Sequence, residues 1–170
     1  MLLSYLGKIN DDIIRAKSMV DLLLMDRLTP QQRSYNMSRV GSKATKPELI
    51  VRRWLWCHGY RYRLNVNSIP GKPDIVLRKY RTAIFVNGCF WHGHDKCNKN
   101  RLPRTNTAFW KEKISRNIVR DQQNYKLLKD SGWYIIVIWE CQLYSNTVED
   151  TMHNVEHMLN LRLLNIYTPR

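Results

Sequence analysis

The stretch Thr82-Ala-Ile-Phe-Val-Asn-Gly-Cys-Phe-Trp-His-Gly-His-Asp-Lys-Cys97 changes character half-way along. Its first part, Thr82 to Val86, is a short apolar run of the kind that forms a buried strand. Its second part, from Gly88, packs thiols, imidazoles and large aromatic rings into a single loop. Cys89, His94 and Cys97 offer soft or borderline metal ligands, and Cys141, in Trp139-Glu140-Cys141, supplies a fourth. A closed Cys3His tetrahedron is what structural Zn2+ prefers, and with every position a protein atom it leaves no open site for activating water. Such a centre would staple residue 141 to residues 89–97. The alternative is a set of reduced cysteines in a core with incidental histidines. Either way, His92, Phe90 and Trp91 are left for other work, and His92-Gly93-His94 is not the His-Glu-x-x-His helix of a metalloprotease.

Working outward, Asp74 to Leu77 is a second short buried strand, joined to Thr82–Val86 near Lys79-Tyr80 and preceded by the turn Ser68-Ile69-Pro70-Gly71. Tyr60 to Val66 alternates moderately. Upstream, Thr29-Pro30-Gln31-Gln32 starts a short helix carrying Met37, with Thr as N-cap and Pro at the first helical position. Thr45-Lys46-Pro47-Glu48 repeats that logic for a helix that Gly59 stops, so Glu48 has a capping role before any other is considered. Downstream, Trp110, Ile114, Ile118, Tyr125 and Leu128 recur at helical spacing between Thr107 and Ser131, and the carboxylate of Asp121 interrupts their stripe. After Gly132, the apolar run Trp133 to Trp139 is expected to be a central strand covered on both faces. Residues 147–164 form a closing helix. The pattern predicts an α/β fold, a mixed central sheet flanked by helices. Residues 1–24, with Leu-Leu, Ile-Ile and Leu-Leu-Leu pieces at loosely helical spacing, are expected to be a dispensable accessory segment before a working domain spanning 25–170.

Lys and Arg outnumber Asp and Glu by 28 to 14, a formal charge of +14. That much self-repulsion points to a polyanionic partner, with nucleic acid favoured over a membrane surface because the basic residues are dispersed. No stretch approaches the about 20 apolar residues needed to span a bilayer. The N-terminus lacks a signal-peptide pattern, so a reducing cytoplasm is expected, where clustered Cys and His bind metal rather than form disulfides. Cys57 is spare and reads as a small half-buried hydrophobe.

Asp74 follows Pro70-Gly71-Lys72-Pro73 at the mouth of a buried strand, a place for a carboxylate that binds Mg2+ for phosphate chemistry, although Pro-Asp before a strand is also ordinary turn chemistry. Phe90 and Trp91 would normally belong to a core; on a loop made rigid by Zn2+ they could instead form a wedge between DNA bases, and Met37 could reach the same target. Arg101, Arg104, Lys111, Lys113, Arg116 and Arg120 supply phosphate attraction without sequence information, or simply a solvated helix face.

Taken in order, Pro70-Gly71-Lys72-Pro73-Asp74, Phe85-Val86-Asn87-Gly88-Cys89-Phe90-Trp91-His92-Gly93-His94, Arg116-Asn117 with Arg120-Asp121, and Gly132-Trp133 with Trp139-Glu140-Cys141 resemble the very short patch repair DNA mismatch endonucleases. The resemblance runs from about Met25 to about Leu143. It implies a restriction-endonuclease-like core that nicks double-stranded DNA 5′ of the thymine in a T:G mispair, the product of 5-methylcytosine deamination. It further implies that Asp74 binds the catalytic Mg2+ with the main-chain carbonyl of Val86 nearby, that His92 is the catalytic histidine with Asp121 as its partner, and that Glu48 joins the active site. Cys89, His94, Cys97 and Cys141 match the structural Zn2+ ligands; Met37, Phe90 and Trp91 match the intercalating residues. Some members carry a second active-site histidine where this chain has Asn87. Monomeric action and hand-over of the nick to downstream repair proteins complete the expectation. Two competing functions are a zinc-stabilised DNA-binding module without catalysis and a restriction-like nuclease without mismatch selectivity; Asp74 and Asp121 speak against the first, since bare carboxylates repel the phosphate backbone.

Overall fold

The computed structural model describes residues 29–39, 41, 44–95, 97–103 and 105–168. The accessory segment expected at residues 1–24 lies outside them. The chain divides into two units, Met1–Lys43 and Ala44–Arg170.

In the first unit the described structure is helix α1, Pro30–Ser38. The Thr29 hydroxyl accepts from the amide of Gln32 at 3.1 Å, and the Gln32 side chain accepts from the amide of Thr29 at 2.9 Å. This reciprocal cap satisfies two of the donors that a helix start leaves orphaned. Met37 is exposed on this helix.

The second unit opens with α2, Lys46–Cys57, which begins at the expected Thr45 and Glu48 capping box. It ends where Gly59, at φ +83°, turns the chain back and the Tyr60 amide donates to the Leu55 carbonyl at 2.9 Å. The strands are β1 (Arg63–Leu64), β2 (Ile75–Leu77) and β3 (Thr82–Asn87), with a 3-10 turn at Arg78–Tyr80 between the last two. Helix α3 (Thr107–Asp130) leads to β4 (Tyr134–Trp139), a second 3-10 turn (Glu140–Leu143) and α4 (Val148–Tyr167).

The sheet order is β1-β2-β3-β4, antiparallel except for the parallel β3–β4 pair, whose register runs from Thr82 opposite Tyr134 to Asn87 opposite Trp139. A parallel pair needs a long crossover, which the Cys- and His-bearing loop and α3 provide. Alternation sorts the side chains onto two faces. Ile75, Leu77, Ile84, Ile136 and Ile138 meet Val51 and Leu55 of α2 and Met152, Val155 and Leu159 of α4. Val76, Ala83, Phe85 and Ile135 meet Leu128 and Tyr125 of α3. The result is the mixed α/β sheet between helices that the pattern predicts.

Two expectations need correction. The apolar run ending at Trp139 is not a central strand: β4 is the last strand of the sheet among the described residues. Its continuous apolarity comes from having helices on both faces rather than strands on both edges, and Tyr134 at its start is exposed. Cys57, expected to be half-buried, is exposed on α2.

Candidate active site and metal centre

The end of β3 runs directly into the ligand loop. Cys89, His94, Cys97 and Cys141 offer ligand atoms that all lie within 4.8 Å of one another. The Cys141 Sγ is 3.4 Å from His94 Nδ1, and the His94 ring stacks on Trp139 with centroids 4.2 Å apart. Register explains the meeting. Asn87 and Trp139 are the last parallel partners, so residues 89 and 141, each two further on, leave the sheet side by side. Burial, above all, pushes the Cys89 thiol up to about 12 and raises Cys141, whereas the Lys99 amide, donating to Cys97 Sγ at 3.4 Å, lowers Cys97. A bound cation would offset that penalty on the Cys89 and Cys141 thiolates, and the donor set is one that suits Zn2+.

Gly93 is required where the loop crosses α3: its φ is +64°, and a Cβ there would lie 2.6 Å from Ile118 Cδ1. The close approach delivers His92 to the helix. His92 Nδ1 lies 2.5 Å from Asp121 Oδ2, with both side chains partly buried. The Asn117 side chain donates to the Trp91 carbonyl at 3.0 Å, fixing the same segment.

Asp74, at the mouth of β2, accepts from the Val86 amide at 2.8 Å. Its carboxyl is raised above the ordinary range, first by burial and further by the Glu48 charge; the Val86 bond, Arg52 and His92 act in the opposite direction. Asp74, Glu48, Arg52 and His92 thus share one electrostatic neighbourhood. Glu48 is heavily committed: Oε1 accepts from the Thr45 hydroxyl at 2.9 Å, and Oε2 accepts from the Ala44 amide at 3.1 Å and from Arg52 Nη2 at 2.5 Å.

Phe90 and Trp91 are neither core nor fully exposed. They form an edge-to-face cluster with Trp110, at centroid distances of 5.1 to 5.8 Å, and the Lys113 ammonium lies 5.3 Å from the Trp91 ring centre. Met37 belongs to the other unit.

A family model described as DNA mismatch endonuclease Vsr matches residues 25–99. Type II nicking enzyme V.NmeAIP of Neisseria meningitidis serogroup A is 47% identical over 74% of this chain and 89% of its own length. Type II nicking enzyme V.XorIIP of Xanthomonas oryzae is 45% identical over 71% and 88%. DNA mismatch endonuclease Vsr of Escherichia coli is 40% identical over 65% and 70%.

The chain belongs to the Vsr family.

The Vsr model match includes Met37, Glu48, Asp74, Val86, Cys89, Phe90, Trp91, His92, His94 and Cys97. Asp121 and Cys141 lie beyond it, and here the fold itself brings them to the loop. Three further residues of this Vsr chain were not singled out for the site by sequence reasoning. Tyr125 accepts from the buried Asn87 side chain at 3.2 Å, and burial first, then the charges of Asp121 and Asp74, push its hydroxyl up to about 12. Arg52 pairs with Glu48, and Trp110 completes the aromatic cluster. Arg52 and Tyr125 each follow a chosen carboxylate by four residues, one helical turn, which is the signal that could have found them. Trp110 was absorbed into the apolar stripe of α3.

Proposed function

We propose that this DNA endonuclease nicks double-stranded DNA 5′ of the thymine in a T:G mispair left by deamination of 5-methylcytosine, through Mg2+-dependent hydrolysis of the phosphodiester. The observation that carries the reading is the His92–Asp121 pair on the loop that follows β3, the strand whose Val86 amide holds the Asp74 carboxylate, with an aromatic cluster on the same loop. Relatives named as mismatch endonuclease and nicking enzymes support it.

The oxygen donors suit Mg2+: the carboxylate of Asp74 with the main-chain carbonyl of Val86, and the Glu48 charge beside them. Burial already penalises the Asp74 anion, and a cation there would relieve that penalty. Bound Mg2+ would supply charge neutralisation at the phosphate and make water more acidic. The chain's residues do the rest. Asp121, accepting from His92 Nδ1, leaves Nε2 as the free basic nitrogen, and Nε2 takes a proton from the attacking water. Phe90 and Trp91, with Met37, enter the base stack, which a mispair opens at lower cost than a paired step. The Cys3His centre holds Zn2+ as a staple. No helix among the described residues is long and apolar enough to cross a membrane. The protein works as a monomer on the bacterial chromosome in the cytoplasm, and its nick passes to downstream repair proteins.

Incubating the protein with Mg2+ and duplexes that differ only in T:G, C:G or T:A at one position tests the reading. Nicking of the thymine strand of the T:G duplex alone is expected. Equal nicking of all three would leave a nuclease without mismatch selectivity, and no nicking with intact DNA binding would leave a binding module.

A further inference from the structure

In a strand, the N–H and C=O of one residue project to the same edge. The Val86 amide turns to the β2 side, where it donates to Asp74 at 2.8 Å, so the Val86 carbonyl turns to that side as well. Continuing the β2–β3 register from Ile75 opposite Ile84 puts Pro73 opposite Val86, and proline has no N–H to close a ladder bond on that carbonyl. Its direction is set by the peptide plane that it shares with the Asn87 nitrogen. Asn87 is buried, and its side-chain amide donates to the Tyr125 hydroxyl of α3 at 3.2 Å, the side chain's only hydrogen bond among the described residues. The Tyr125 ring meets Phe85 edge to face with centroids 5.0 Å apart. Its neighbour Asn124 abuts the turn before Asp74, since a Cβ on Gly71 would lie 3.0 Å from Asn124 Cβ. One turn of α3 thus touches both the strand end that bears Val86 and the turn that leads to Asp74.

We infer that Tyr125 is a positioning residue for the proposed Mg2+ site: by holding the Asn87 side chain, it fixes the peptide that aims the Val86 carbonyl at a cation on Asp74. The inference rests on the reading of Asp74 and Val86 as the cation's ligands. A buried donor stripped of its acceptor is costly, so loss of the Tyr125 hydroxyl favours turning the Asn87 amide out toward water. Gly88, the next residue, lets the strand end follow. The ligand carbonyl then spends less time in the direction that binds, and the cation is held less tightly. Groups that orient a ligand without touching the metal commonly act in this way.

The test uses the full, zinc-loaded chain. Mn2+, a paramagnetic stand-in for Mg2+, is titrated without DNA and the free ion followed by EPR, with Asp74→Asn as the blank. Tyr125→Phe removes the hydroxyl and keeps the ring against Phe85. It should bind Mn2+ on the order of 10-fold more weakly than wild type, with unchanged zinc content. In single turnover on the T:G duplex, its half-saturating Mg2+ concentration should rise by the same factor while the rate at saturating Mg2+ stays close to wild type. Asn87→Ala breaks the pair from the other side and should give the same loss, so either variant carries the test if the other fails to fold. The Asn87→Ala, Tyr125→Phe pair should lose no more than either alone, because each removes the same interaction. A wild type that binds no more Mn2+ than Asp74→Asn refutes the cation reading and the inference together. If wild type binds Mn2+ and nicks as proposed, the inference alone falls on wild-type Mn2+ affinity in Tyr125→Phe, on a rate that saturating Mg2+ does not restore, or on losses that add in the double variant.

Discussion

Asp74 is held where water cannot fully solvate it, so its protonation is coupled to folding. Burial raises its carboxyl above the ordinary range, and the folded chain therefore holds that proton more tightly than the unfolded chain does. The destabilisation is absent below the unfolded carboxylate range, grows as pH rises through the folded value, and is complete above it. Asp74→Asn keeps an oxygen for the Val86 amide and removes the charge. In metal-free buffer the variant should melt above wild type at neutral pH, with the gap closing as the pH is lowered through the carboxylate range. It should nick no DNA while retaining duplex affinity, because a backbone-repelling anion has been removed. A melting temperature at or below wild type at neutral pH would mean that the Val86 bond outweighs desolvation. The partner group gives a kinetic prediction: His92→Ala should slow the chemical step on the order of 100-fold, read in single turnover with unchanged zinc content. A wild-type rate would leave Asp74 and bound cation as the whole apparatus.

At the scale of elements, the sheet's parallel pair and the metal-ligand loop depend on each other. Strands β3 and β4 run side by side to Asn87 and Trp139, and the four candidate ligands cluster where the chain leaves them. Removing one ligand therefore loosens a crossover as well as a loop. Cys141→Ser should lower metal content below one Zn2+ per chain and reduce the melting temperature of the whole second unit. Unchanged melting with zinc absent from wild type would dismiss the staple. The aromatic cluster on that loop predicts a separation of two kinds of binding. Replacing Phe90 and Trp91 together by Ala should weaken preference for T:G over paired duplex more than it weakens total DNA binding, since phosphate contacts supply most of the latter. Equal losses on matched and mismatched duplexes would make the cluster a packing element held by Trp110.

For the whole molecule, a charge of +14 on 170 residues makes DNA affinity steeply dependent on salt while carrying little of the selectivity. The Vsr match begins at residue 25. A truncated protein starting at Met25 should keep its zinc, its nicking rate and its T:G selectivity; loss of nicking with zinc retained would make residues 1–24 part of the working domain.

What could be read without coordinates was local. The caps at Thr29 and Thr45, the stop at Gly59, the length of α3 and the strand leading into Cys89 depend on neighbours within a turn or on alternation along one strand, so residue order encodes them directly. The clustering of Cys89, His94, Cys97 and Cys141 was legible because few residue types suit metal ligation. Long-range placement was not. Asp121 meets His92 across 29 residues and Cys141 meets His94 across 47, because α3 packs one sheet face and the parallel register carries both strand ends to one place. The same physics defeated the reading of Trp133–Trp139 as central: an apolar run reports that both faces are covered, and helices cover them as well as any arrangement of strands would. Nor does one helical turn of spacing reveal that Arg52 is buried against Glu48. That depends on which face of α2 the core takes in, and only the packed sheet decides it.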